Sequence, residues 1–113
     1  MIKIESDIDV NEGCYELRIG GEVDASSSIH LETALKEAMS ESKRILVDLT
    51  ELDYISSAGL GVFMSILQDL ENEKIDLVIY GMQQKVMEVF DILGLNQLIN
   101  IKKDKEEALA AIK

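Results

Sequence analysis

The sequence predicts one α/β domain with a mostly parallel, mixed sheet of about five strands and about four helices, in the order ββαβαβαβα. Three observations lead to that class. From Ile45 onward, short apolar runs alternate with stretches of helical period, and strand–helix–strand alternation needs crossover connections that make neighbouring strands parallel. The 113 residues suit a single domain spanning residues 1–113 and are too few for two. The balance of 47% apolar and 29% charged residues is that of a globular chain, and no proline interrupts an element.

Each element has its own signal. Ile2, Ile4, Ile8 and Val10 keep one phase of a two-residue period, and Tyr15, Leu17 and Ile19 repeat it after the turn signal Asn11-Glu12-Gly13, which predicts a β-hairpin. A serine cluster then precedes Leu31, Ala34, Leu35, Ala38 and Met39, a spacing that places all five on one face of a helix starting near Ser26 to Ser28. Ile45 to Leu49 and Ile75 to Tyr80 read as buried strands, separated by a helix in which Leu60, Phe63, Met64, Leu67 and Leu70 form the apolar stripe. A third helix opens at Gly81, carries Val86, Met87, Val89, Phe90 and Leu93, and stops at Gly94, suited to a left-handed cap. Leu98 to Ile101 add a last strand, and Asp104 with Glu107 form a capping pair ahead of Ala108, Leu109 and Ile112.

Composition excludes several function classes. Eleven basic residues against 22 acidic ones leave a formal charge of -11, the wrong sign for direct nucleic-acid binding, which needs cations to displace counterions. The longest uncharged stretch, Tyr54 to Gln68, includes glycines and serines and is shorter than the ~20 apolar residues of a span. With no basic and apolar leader at the N-terminus, the expectation is a soluble, cytoplasmic protein without membrane insertion. One cysteine, Cys14, and one histidine, His30, provide neither a disulfide nor a metal set. They are expected in a strand and on a helix surface, and no cofactor is implied.

The most informative stretch is Leu49-Thr50-Glu51-Leu52-Asp53-Tyr54-Ile55-Ser56-Ser57-Ala58-Gly59-Leu60-Gly61, leading from a strand through a loop into the second helix. Ser56 and Ser57 stand at its start, where a serine oxygen accepts a free backbone N–H of the first turn. With Leu60, Phe63, Met64 and Leu67 inward, the 100° advance per residue turns Ala58, Gly61, Val62 and Ser65 outward beside Ser57. Gly59 and Gly61 then fit either the close approach of a partner backbone or tight packing at the loop-to-helix turn. Val62 reads as a partner contact or as a tolerated surface valine.

Sharper chemical motifs fail here. Gly59-Leu60-Gly61 starts a dinucleotide fingerprint, but Met64 holds the third glycine position and no P-loop Lys follows. A nucleophile elbow around Ser57 would need glycine where Ile55 stands. Asp7, Asp9 and Asn11 imitate a calcium loop, yet its glycine comes one place late, as Gly13, and Arg18 replaces the closing glutamate. No base, metal set or phosphate loop accompanies Ser57 or Asp24, so the chain does not read as an enzyme.

Two segments resemble the STAS domain family, specifically the bacterial anti-sigma-factor antagonists. They are Gly21-Glu22-Val23-Asp24, and Asp48-Leu49-Thr50 through Ile55-Ser56-Ser57-Ala58-Gly59-Leu60-Gly61. The likeness covers essentially the whole chain. It implies a STAS-like single domain, a small sheet with helices mainly on one side, acting as a monomer or weak dimer. It also implies that Ser57 is phosphorylated from ATP by an anti-sigma factor serine kinase and dephosphorylated by a metal-dependent serine phosphatase. The unphosphorylated form would bind the anti-sigma factor and free its sigma factor. By the same resemblance Asp24, Ser56, Ser57, Ala58, Gly59, Gly61 and Val62 form the partner surface; Asp24 reads equally as a cap or a charge at the first helix. Two departures stand out: Ser56 replaces the family's acidic residue and becomes a competing acceptor, and Ala58 replaces a Ser/Thr. They leave open a STAS scaffold or a regulatory subunit of a signalling complex or transporter that is never phosphorylated.

Overall fold

A computed structural model describes residues 1–9 and 13–112. Val10 of the expected first strand and Asn11 and Glu12 of the expected turn lie outside them, as does Lys113. Along the chain run β1 (Lys3–Asp9), β2 (Cys14–Val23), α1 (Ser28–Glu41), β3 (Arg44–Asp48), β4 (Leu52–Ile55), α2 (Ser57–Asn72), β5 (Asp76–Tyr80), α3 (Gln84–Ile92), a 3₁₀ turn (Leu95–Gln97), β6 (Asn100–Lys102) and α4 (Lys105–Ala111). The sheet order is β1-β2-β3-β5-β6, with β4 alongside the far end of β2. Among the described residues only β1 runs antiparallel to its neighbour; β2–β3, β2–β4, β3–β5 and β5–β6 are parallel.

The central strands are buried on both faces, as the apolar runs of β3 and β5 require. On one face α1, α2 and α3 close over Leu17, Ile19, Ile45, Val47, Leu77 and Ile79. The opposite face carries Cys14, Leu46, Val78 and Tyr80 and is covered by Ala108 and Ile112 from the α4 region. The layer that will matter for function is the first.

Four details depart from the sequence reading. β4 was expected as loop: only its end residues Leu52 and Ile55 are buried, so it lacks the alternation that marks a strand, and it exists because β2 offers it an edge. β2 itself runs past Gly20-Gly21, with a register shift between Gly21 and Glu22; Gly21 takes φ +78, where a Cβ would overlap the Met1 carbonyl. α3 begins at Gln84 instead of Gly81, because Gly81 adopts φ +82 with the Thr50 hydroxyl against it. The last strand is shifted to Asn100–Lys102, since Leu95–Gln97 form a 3₁₀ turn behind the left-handed Gly94. The Asp104 cap is as expected, its Oδ1 accepting the Glu107 N–H at 2.9 Å.

Behind the sheet, Glu16 is a carboxylate only 7% exposed. One oxygen accepts Arg18 Nη1 at 2.6 Å; the other accepts the Tyr80 hydroxyl at 2.6 Å and lies 3.1 Å from Lys105 Nζ, at the start of α4. Burial alone would raise its pKa, but the Tyr80 hydroxyl and the Lys105 and Arg18 charges outweigh it and hold the group below its ordinary 4.5. Tyr80 is pushed up by burial and by that carboxylate, so it stays a neutral donor. A lowered folded pKa means the stabilisation is complete above the unfolded value of 4.5 and is lost as pH falls through the folded one. Glu16→Gln should therefore cost about 1–3 kcal/mol at neutral pH, and the gap to wild type should shrink in urea titrations below pH 4.5. A gap independent of pH would show that the cluster does not couple protonation to folding.

Candidate functional site

The site arises where two parallel strands end side by side. Val23 of β2 and Ile55 of β4 are register partners, and the Ser56 N–H donates to the Val23 carbonyl at 2.8 Å. Residues 24 and 56 thus leave the sheet together, each leading into a helix, at the carboxyl edge where open α/β sheets expose their loops.

Asp24 organises its loop. Its Oδ1 accepts the Ser26 hydroxyl at 2.8 Å and both the N–H and the hydroxyl of Ser27 at 2.9 Å, while its own N–H donates back to Ser27 Oγ at 2.9 Å. The exposed carboxyl is held below the usual carboxylate range, first by the Ser26 hydroxyl and then by Ser27. Asp24 therefore braces the turn before α1, whose cap residue is Ser27; this is the capping alternative in a modified form, with the charge still open to solvent.

Ser56 and Ser57 divide two tasks. Ser56 is the N-cap of α2, half-buried, its Oγ accepting the Gly59 N–H at 3.2 Å. A serine at this position has the chemistry of a cap. Ser57, the first helical residue, is exposed. At that position the backbone N–H groups of the first turn point out of the helix without intrahelical acceptors, beside the positive end of its dipole.

The outward face of α2 differs in phase from the expectation. Ala58, Gly61 and Ser65 are exposed as anticipated, but Val62 is only 9% exposed and sits in the core, whereas Met64 is 48% exposed. The buried set is Gly59, Leu60, Val62, Phe63 and Ile66, because α2 is held on one side by β4 and on the other by α1. Gly59 is likewise a packing residue and not a surface contact: a Cβ there would lie 2.7 Å from Ile55 Cγ1 and 2.8 Å from Val23 Cγ1. Gly61 faces open space, and a Cβ on it would meet nothing among the described residues within 4 Å. Gly59→Ala is thus expected to lose about 1–2 kcal/mol in a denaturant titration, overpacking outweighing helix propensity, whereas Gly61→Ala should gain up to ~1 kcal/mol. Equal effects would mean that the two glycines do not differ in packing.

The sequence reading placed Met64 inward and did not single out Tyr54, which is 51% exposed on β4; the signal available was the absence of any charge from Tyr54 to Gln68. No helix among the described residues is long and apolar enough to cross a membrane.

Comparison with known proteins meets this geometry. The family model for the STAS domain matches residues 5–108. The chain belongs to the STAS domain family. A STAS relative, the anti-sigma-B factor antagonist of Listeria monocytogenes, is 33% identical over 88 residues, covering 77% of each chain. Among solved structures, an anti-sigma factor antagonist from Mycobacterium paratuberculosis superposes with a TM-score of 0.87 at 18% identity, over 98% of this chain and 93% of that one. The Bacillus cell fate determinant SpoIIAA in its phosphorylated form gives 0.64 at 18% identity, over 97% of both chains. These likenesses establish the STAS fold of the chain.

Proposed function

We propose that this STAS domain is a cytoplasmic anti-sigma-factor antagonist, a non-catalytic binding switch whose unphosphorylated form docks on an anti-sigma factor and releases the sigma factor held there. The observation that carries it is an exposed serine hydroxyl on the first residue of α2, beside the Asp24 turn and at the head of an uncharged helix face. The name of the Listeria relative supplies the partner class.

In the unmodified state, Ser57, Ala58 and Gly61 meet the partner over a contact that excludes water, with Asp24 at its edge. The anti-sigma factor serine kinase transfers the γ-phosphoryl group of ATP to Ser57 Oγ; the hydroxyl proton leaves to a base of the kinase and ADP departs. A metal-dependent serine phosphatase reverses this with water, returning the hydroxyl and inorganic phosphate. The phosphate adds a charge of about -1.5 to -2 and carries a desolvation cost where it would be buried against the partner. Its oxygens find the outward N–H groups of the α2 N-terminus, so the modified domain remains folded. Ser56 competes poorly as an acceptor, since its oxygen is already engaged by the Gly59 N–H.

Incubation with the serine-kinase anti-sigma factors of the source genome and ATP, followed by intact-mass measurement and peptide mapping, tests the reading. One phosphate on Ser57, absent from Ser57→Ala, is expected. No phosphate on the wild-type protein would favour the STAS scaffold or regulatory-subunit reading, to which the Ser56 and Ala58 replacements point.

A further inference from the structure

The chain carries a formal charge of -11, yet residues 54–68 contain no charged side chain. In the fold this stretch supplies the solvent face of α2 from its first turn, through the exposed residues Ser57, Ala58, Gly61, Met64, Ser65 and Gln68. Along the chain, charge resumes at both ends of this stretch. Exposed Glu22, Asp24 and Asp53 stand on or beside the strand ends next to Ser56, and exposed Asp69 follows at the other end. A helix face that only had to stay solvated on so acidic a molecule would carry charge at these positions as well.

Within that face the apolar surface is concentrated in one side chain. Met64 lies seven residues after Ser57, on the same stripe and about 10 Å further along the axis. Gly61, between them, leaves open space, so the thioether projects beyond a low step in the helix surface. Alanine, glycine and serine bury little area, and the Ser57 hydroxyl contributes little attraction of its own; on the helix face Met64 is the residue that can supply a hot spot, the exposed Tyr54 belonging to β4.

We propose that Met64 is the specificity-determining anchor of the docking face, seated in an uncharged, apolar socket of the partner whose surrounding rim is basic. The uncharged face requires a neutral socket, because a cation buried against it would lose water without gaining a counter-charge. The acidic border requires a cationic rim, which steers encounter and adds little to the lifetime of the complex. This inference rests on the reading of Ser57 as the switch, and it separates two tasks: Ser57 decides whether docking occurs, Met64 decides with whom. Unbranched and polarisable, methionine fits a socket of irregular shape.

The test uses the full chain and the anti-sigma factor from the source genome that binds wild type, with association and dissociation rates measured at two salt concentrations for wild type, Met64→Gln, Met64→Leu and Ser57→Asp. Because position 64 is half-exposed, both Met64 variants should keep the wild-type thermal midpoint. Met64→Gln is expected to raise Kd about tenfold through faster dissociation, with the association rate and its salt dependence unchanged, and Met64→Leu to stay within about threefold of wild type. Wild-type dissociation for Met64→Gln, with Ser57→Asp defective, overturns the anchor and leaves the switch standing. A Met64→Gln defect in association rate or salt dependence overturns the apolar socket. Wild-type affinity for Ser57→Asp, or no partner for the wild type among the source genome's anti-sigma factors, overturns the switch on which the anchor rests.

Discussion

Ser57→Asp is expected to weaken binding of the anti-sigma factor by about a hundredfold, close to 3 kcal/mol, with no loss of thermal stability. The two halves of that expectation have separate causes. In the free protein the new carboxylate stands at the first residue of the 16-residue helix α2, where free N–H groups and the dipole favour negative charge by ~0.3–1 kcal/mol. The thermal midpoint should therefore hold or rise slightly. In the complex the same carboxylate must leave water against an uncharged contact, with the exposed Asp24 carboxylate on the neighbouring loop adding repulsion. Full phosphorylation, with larger charge and bulk, should reach a few hundredfold to about a thousandfold, ~3 to 4 kcal/mol. Ser57→Ala should bind within a few-fold of wild type and accept no phosphate. Titration calorimetry with the cognate anti-sigma factor decides: a Ser57→Asp protein of wild-type affinity would show that this hydroxyl does not gate the docking face.

Phe63→Ala should have the largest effect on the fold, about 3–5 kcal/mol. Phe63 and Phe90 are both 0% exposed, and their rings meet edge to face at 5.6 Å, joining α2 to α3. Truncation removes the apolar transfer energy and the ring contact and leaves a cavity that two helices and a sheet cannot collapse around. Against a typical domain stability of ~5–15 kcal/mol, that is a large share. The urea midpoint should drop with an unchanged slope, while the affinity of the molecules still folded should stay near wild type, because Phe63 lies behind the docking face. A loss below ~1 kcal/mol would mean the interface between α2 and α3 is not close-packed. Together the two variants separate the surface of α2 from its core: one changes binding at constant stability, the other stability at constant binding.

Much of this domain could be read from local sequence. The alternation of strand and helix periods set the order of elements, the serine pair fixed where α2 begins, and the two STAS segments located Asp24 and Ser57. The site was less legible. Leu60, Phe63, Met64 and Leu67 satisfy a helical stripe, but so do Gly59, Val62, Phe63 and Ile66, and an apolar helix offers both phases. Val62 and Met64 exchanged places for that reason. The buried cluster at Glu16 was not legible, since beyond the nearby Arg18 its partners Tyr80 and Lys105 lie 64 and 89 positions away.

The sequence by itself determined that a helix starts at the Ser56-Ser57 pair, because caps and periodicity are short-range properties. Tertiary structure alone decided which side of that helix meets water, that β4 exists, and that Asp24 and Ser56 leave the sheet as neighbours. Those outcomes depend on which strand offers an edge and which element removes water from which face, and such contacts form only between residues far apart in the chain.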